Sequence, residues 1–254
     1  MNYLTIPLLR VLLATGMLIY AAYEDIRIRE VHDLVWIIFG IPGIIIDLLQ
    51  LSQGLLGWNT LLISLSISGI FSALAMIAHL FGEADLLALI TLTILHPVRP
   101  TIHEPIGISG IIFPLTVLTN SALIGALSAL LFLIKNFSIK LNGNFLFPEQ
   151  ETESLVKKLT LLFTGSRIKV KNIKGPPFQY PLENIGEKGE KILLFRPNIN
   201  DDQEARKIFD DFKQARIEYT WVSNTLPFIF IIFLGYCTTL FIGDIIITLL
   251  FLLT

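Results

Sequence analysis

Apolar runs long enough to cross a bilayer recur along the chain, separated by short polar turns. They cover residues 4–23, 34–51, 60–81, 111–134 and 227–253. A hydrocarbon core of about 30 Å needs roughly 20 such residues in a helix. A shorter run begins near Asp85 and extends over 86–95. It supplies roughly 15 Å of helix, half a bilayer, before His96 and Pro97 interrupt it. The stretch 96–109 holds Pro97, Pro100 and Pro105 and reads as a loop. Counting the short run, the pattern predicts six transmembrane helices.

Between the fifth and sixth runs the pattern changes. Residues 152–164 put Leu155, Leu159, Leu162 and Phe163 on one helical face, with Gly165 as a C-terminal stop. Residues 201–216 form a second amphipathic helix that buries Ala205, Ile208, Phe209 and Phe212. Residues 167–173 and 191–195 read as short strands around the Gly175-Pro176-Pro177 connection. The expected fold class is an all-α polytopic membrane protein carrying a small α+β cytosolic domain between helices five and six. Its divisions are a membrane domain over 1–134, the α+β domain over 135–222 and a final transmembrane helix over 223–254.

Composition agrees with a chain dissolved in lipid. Of 254 residues 53% are hydrophobic and only 16% charged, whereas about a quarter are charged in soluble domains. The start of the chain lacks a basic n-region and a small-residue cleavage site, so it reads as the first span rather than a secretory signal. The single cysteine, Cys237, has no partner for a disulfide or a zinc knuckle.

Basic residues set the orientation. Of 19 Lys and Arg, 15 fall in 135–222, and Arg27 and Arg29 lie in the turn after the first span. The turn between spans two and three has none, and the loop after span four has only Arg99. Both signals face the polar domain and the first turn toward the cytosol of a multi-pass cell-membrane protein.

Topology then sorts the carboxylates. Two complete spans separate Asp25 from Asp85, so both lie on one membrane face, the cytosolic one. Asp47 lies roughly 20 Å into span two, and Asp244 roughly 25 Å along span six, so both are near the outer face. Arg10 falls at that depth as well. Since an ionisable group in the membrane ordinarily finds a partner, Arg10 is expected to pair with Asp47 or Asp244. Asp33 stands where the N-cap of span two belongs, and Asp85 could equally serve as a cap. His79 is a helix-end residue or a neighbour of the Asp85 site. His96 and His103-Glu104 lie in the outer loop, with no spacing that argues for a metal.

The segments around these residues resemble a known family. Asp25, followed by Arg27, Arg29, Glu30 and Asp33, resembles the first active-site region of archaeal preflagellin and prepilin peptidases. Gly82-Glu83-Ala84-Asp85 is similar to their Gly-x-Gly-Asp motif, with Ala84 in place of the second glycine. Trp221-Val222, Pro227, Gly235 and Gly243-Asp244 resemble the family's approach to its last span. The resemblance implies an aspartic endopeptidase with Asp25 and Asp85 as catalytic residues, no metal and no cofactor. Its substrates would be archaellin or pilin-like precursors with short basic leaders, cut at the cytosolic membrane surface. The expected partners are thus those precursors and the lipid bilayer, with no nucleic acid.

Two carboxylates can hydrolyse a peptide when one is ionised and takes a proton from water while the other donates to the scissile carbonyl. Like charges a few Å apart resist joint ionisation, which provides that division of labour for the pair. Gly82 and Ala84 would let substrate approach closely. Glu24, Glu30, Asp33 and Glu83 could attract the basic leader, or serve simply as solvated loop charges. Two other readings stay open from the sequence: an intramembrane aspartic protease of presenilin or signal-peptide-peptidase type, and a non-enzymatic transporter or scaffold.

Overall fold

A computed structural model of the chain describes residues 5–77, 81–110, 112–141, 147, 153–186, 190–194, 196–199 and 201–254. The chain divides into two compact units, one built from residues up to Gly125 together with Pro227–Thr254, the other from Ala126–Leu226.

The first unit is a helical bundle: α1 (Thr5–Ile28), α2 (Leu34–Ser52), α3 (Trp58–Ile77), α4 (Glu83–Leu95), the start of α5 (Phe113–Leu141), α8 (Phe228–Phe241) and α9 (Ile245–Leu253). Its helices bury small and polar residues alongside large apolar ones, and leave many large apolar side chains exposed on the outside, unlike a soluble bundle. In α1 the buried face runs Arg10, Ala14, Met17, Leu18, Ala21, Ala22 and Asp25, one stripe at helical spacing. Leu8, Leu12, Ile19 and Tyr23 are exposed on the other side. Likewise α2 buries Gly40, Gly43 and Asp47 and exposes Ile37, Ile38, Ile41 and Ile45. Between lipid-dissolved helices, close packing of small residues replaces the hydrophobic drive that holds soluble bundles together. The protein is a multi-pass membrane protein.

Among the described residues four helices, α1, α2, α3 and α5, are long and apolar enough to cross a membrane, giving up to five spans if α8 and α9 together make one bent span. Two departures from the six-helix expectation have physical causes. Helix α4 has only 13 residues, about 20 Å, but it packs on α1, α2, α3 and α8 and buries Ala88, Leu89, Leu92, Thr93 and Leu95. A helix surrounded by protein does not need to match the bilayer thickness. The last apolar run is broken, with α8 and α9 bent by 49°. Gly243 takes φ +96° there, and Asp244 starts a new helix by accepting from the Ile247 N–H at 3.0 Å. A side chain at Gly243 would also strike the Ile108 carbonyl, so the break needs glycine.

The second unit is α+β. Helix α6 (Leu155–Thr164) ends at Gly165, as expected, and leads directly into β1 (Gly165–Lys169). The predicted strand over 167–173 stops at Lys169, where Val170–Asn172 turn into a 3₁₀ helix. The predicted strand over 191–195 is present as β4 (Lys191–Leu193); residue 195 lies outside the described residues. Strand β5 (Tyr219–Asn224) is central in a three-stranded antiparallel sheet, flanked by β1 and β2 (Gln179–Pro181). β3 (Glu183–Ile185) pairs with β4. Helix α7 (Asp202–Gln214) buries the four apolar residues predicted for it, and Phe209 and Phe212 pack with Val170 and Val222.

Candidate active site

Asp25 sits in the last turns of α1, on its buried stripe. Its Oδ2 accepts from the Ile229 backbone N–H at 2.9 Å, near the start of α8. The first amides of a helix have no partner within it, and Pro227 at the N-cap position offers neither an N–H nor a capping side chain. Asp25 therefore caps α8 from another helix, where the positive end of the peptide dipoles favours an anion. Arg29 Nη1 lies 3.8 Å from Asp25 Oδ1 and donates to the Asp25 carbonyl at 3.3 Å. Arg29 closes α1 with φ 60°, the left-handed conformation that ordinarily goes to glycine. That conformation costs a non-glycine residue about 1 kcal/mol or more, and it turns the guanidinium back toward Asp25.

Asp85 lies in the first turn of α4, where its Oδ2 accepts from the Gly82 N–H at 3.0 Å. The capping role considered for it is thus present, though Gly82 rather than Asp85 holds the N-cap position. Helices α1, α4 and α8 pack on one another, and Phe81 stacks on Phe228 with ring centroids 5.0 Å apart. This stack ties the Gly82 turn to the start of α8, which Asp25 caps. Ala84 packs against the bundle core. A Cβ at Gly82 would meet Asp85 Oδ2 at 3.4 Å, ordinary contact.

The other candidate residues divide clearly. Glu30, Asp33 and Glu83 are exposed and Glu24 is half-buried. Asp33 occupies the N-cap position of α2, but its side chain makes no capping bond, contrary to expectation. Its backbone is already helical, at φ −55° and ψ −29°, rather than in the extended conformation from which a cap reaches forward. The Leu34 N–H instead meets His32 Nδ1 at 3.2 Å. His79 lies outside the described residues. Among the described residues no group of three potential ligands gathers for a metal.

At the opposite end of the bundle, Arg10 pairs with Asp47 at 2.6 Å, both buried. It also donates to Gln50 Oε1 and to the Ile94 and Leu95 carbonyls at the end of α4. Asp244 is not Arg10's partner; it caps α9. Sequence reasoning missed the Ile229 amide and the Phe81–Phe228 stack. The available signal was Pro227 heading an apolar run, the mark of a helix start whose amides need an acceptor.

The archaeal peptidase A24 C-terminus type II family model matches residues 157–245. The chain is 28% identical over 249 residues to a preflagellin peptidase of Methanococcus voltae, covering 90% of this chain and 92% of that protein. It is 27% identical over 246 residues to a preflagellin peptidase of Methanocaldococcus jannaschii, covering 91% and 92%.

Proposed function

The chain is a relative of the archaeal preflagellin peptidases, and from that premise we propose that it is a membrane aspartic endopeptidase with Asp25 and Asp85 as its catalytic pair. It removes a short basic leader from a preflagellin or pilin-like precursor. The observation that supports this reading is that α1, which carries Asp25 on its buried stripe, α4, which carries Asp85 in its first turn, and α8, whose start Asp25 holds, pack on one another. Helices α2 and α3, each long enough to span, lie between them in the chain, which argues for one membrane face. The basic residues of the first turn and of 135–222 argue that this face is cytosolic. The six-crossing topology counts α4 as a crossing. Arg10 on α1 lies fifteen residues before Asp25, about 22 Å along the helix, and α4 runs from the Asp85 turn to carbonyls held by Arg10.

In the proposed reaction the ionised carboxylate takes a proton from a water molecule as the water oxygen attacks the scissile carbonyl carbon. The protonated carboxyl donates to the carbonyl oxygen, and collapse of the tetrahedral intermediate passes a proton to the leaving nitrogen. The backbone bonds from Ile229 and Gly82 fix Oδ2 of each carboxylate and so orient the pair. Gly82, Glu83 and Ala84 would line the substrate's path, and Glu24, Glu30 and Asp33 would draw in the basic leader. The test is to incubate membranes bearing the chain with a preflagellin and sequence the product's N-terminus. Wild type should cut between the leader and the apolar helix, and Asp25→Ala and Asp85→Ala should not. Processing that survives both substitutions rejects the mechanism.

A further inference from the structure

At the end of the bundle remote from Asp25 a partly open cavity of about 540 Å³ lies among the start of α1, the end of α2 and the loop after α4. Arg10, Gln50, Gln53, His96 and Arg99 line it with polar groups. Donors dominate this wall. Arg10 takes up Gln50 Oε1, which leaves the Gln50 amide nitrogen to donate. Arg99 spends three of its five N–H groups on Glu104, Ser109 and the His103 carbonyl. His96 is wholly buried, and its Nδ1 has no hydrogen-bond partner among the described residues. Its Nε2 lies 3.0 Å from the Tyr236 hydroxyl. His96 therefore stands behind the cavity wall, closed to solvent.

The nearby carboxylates are both engaged. Asp47 is closed off by Arg10, and Glu104, whose side chain is 88% exposed, leans out to Arg99. A wall of donors calls for a ligand rich in acceptors. The rim adds a second requirement. Pro7 and Leu55 border the cavity, and Leu55 is exposed. Arg10 stands about 22 Å along α1 from Asp25, so the cavity opens near the level of the far headgroups of a bilayer about 30 Å thick. We infer that this cavity binds a phosphate group, presented by a lipid headgroup or as free phosphate, through Arg99, Gln50 and Gln53. The site is separate from the proposed peptidase centre and stands whether or not that reading holds.

Native mass spectrometry of the delipidated full chain in detergent tests this, with phosphatidylglycerol, a diacylglycerol of the same acyl chains and inorganic phosphate as probes. One phosphatidylglycerol should bind at saturation and diacylglycerol should not. Arg99→Gln should weaken binding at least about tenfold, the loss of one charge-assisted contact. Competition by inorganic phosphate would show that the headgroup phosphate is what is recognised; binding of inorganic phosphate without phosphatidylglycerol would make free phosphate the ligand. Should Arg99→Gln misfold, Gln53→Ala on the exposed rim should weaken binding measurably in a folded chain. Equal retention of diacylglycerol, binding of neither phosphate probe, or unchanged affinity in the folded variants overturns the proposal.

Discussion

Replacing Arg10 with methionine removes one side chain that serves three helices at once. Its guanidinium pairs with Asp47 and Gln50 on α2 at 2.6 and 2.7 Å and holds the Leu95 carbonyl of α4 at 2.8 Å. Methionine keeps the apolar stem but leaves Asp47 as a buried carboxylate with its cation gone and leaves the last carbonyls of α4 without a donor. Breaking a buried ion pair from one side costs about 3–5 kcal/mol. At about 2–4 °C per kcal/mol for a chain of this size, the melting temperature in detergent should fall by roughly 6–20 °C. Fluorescence of Trp36, buried on α2 beside the core, reports the transition. The double variant Arg10→Met/Asp47→Leu should regain most of that loss, because replacing both members of a buried pair with apolar groups is close to neutral. A single variant that melts within about 2 °C of wild type refutes the reasoning, as does a double variant no more stable than the single.

Three further outcomes follow from particular contacts. Gly235→Leu should prevent stable insertion, since a side chain there would overlap Ser121 and the Val117 carbonyl of α5; yield of folded protein by size-exclusion chromatography checks this. Tyr180 donates to Asp202 at 2.7 Å, and burial first, then that bond, pushes its phenol up to about 12 from an ordinary value of 10. A raised folded-state value means this stability is fully present below pH 10 and is lost between about pH 10 and 12; Tyr180→Phe should lack that component in urea melts across the range. Reversing Glu30, Asp33 and Glu83 to lysine should raise KM for a basic-leader precursor several-fold with little change in kcat, the effect fading at high salt; an unchanged KM would reduce these residues to solvated charges.

The lipid-facing half of this protein was legible in the sequence because lipid demands continuous apolar surface. α1, α2, α3 and α5 each overlap a predicted run, with ends shifted by up to seven residues. Helices that meet protein rather than lipid were harder to read. α4 is short because neighbours surround it, and the α8–α9 break was hidden inside an apolar run, marked only by Gly243 and Asp244. Strand β5 escaped notice because it pairs Ser166 with Val222 across a long loop, a register that no local pattern encodes. The same distance in sequence hid the environment of Asp25. The expectation that it shares a membrane face with Asp85 came from counting spans, whereas its bond to Ile229 joins residues 204 apart. The pairing of Arg10 was narrowed to two carboxylates by depth alone; packing chose Asp47 and gave Asp244 to α9.

The central claim, that Asp25 and Asp85 perform the hydrolysis, is tested most directly by asparagine variants, which keep shape while removing proton transfer. Purified Asp25→Asn and Asp85→Asn are compared with Asp47→Asn and Asp244→Asn in a timed cleavage assay on a preflagellin. The first two should lose about 10²-fold or more in rate, the scale of general acid–base catalysis, while the other two, once confirmed as folded, retain cleavage. Cleavage near the wild-type rate by either Asp25→Asn or Asp85→Asn would contradict the account.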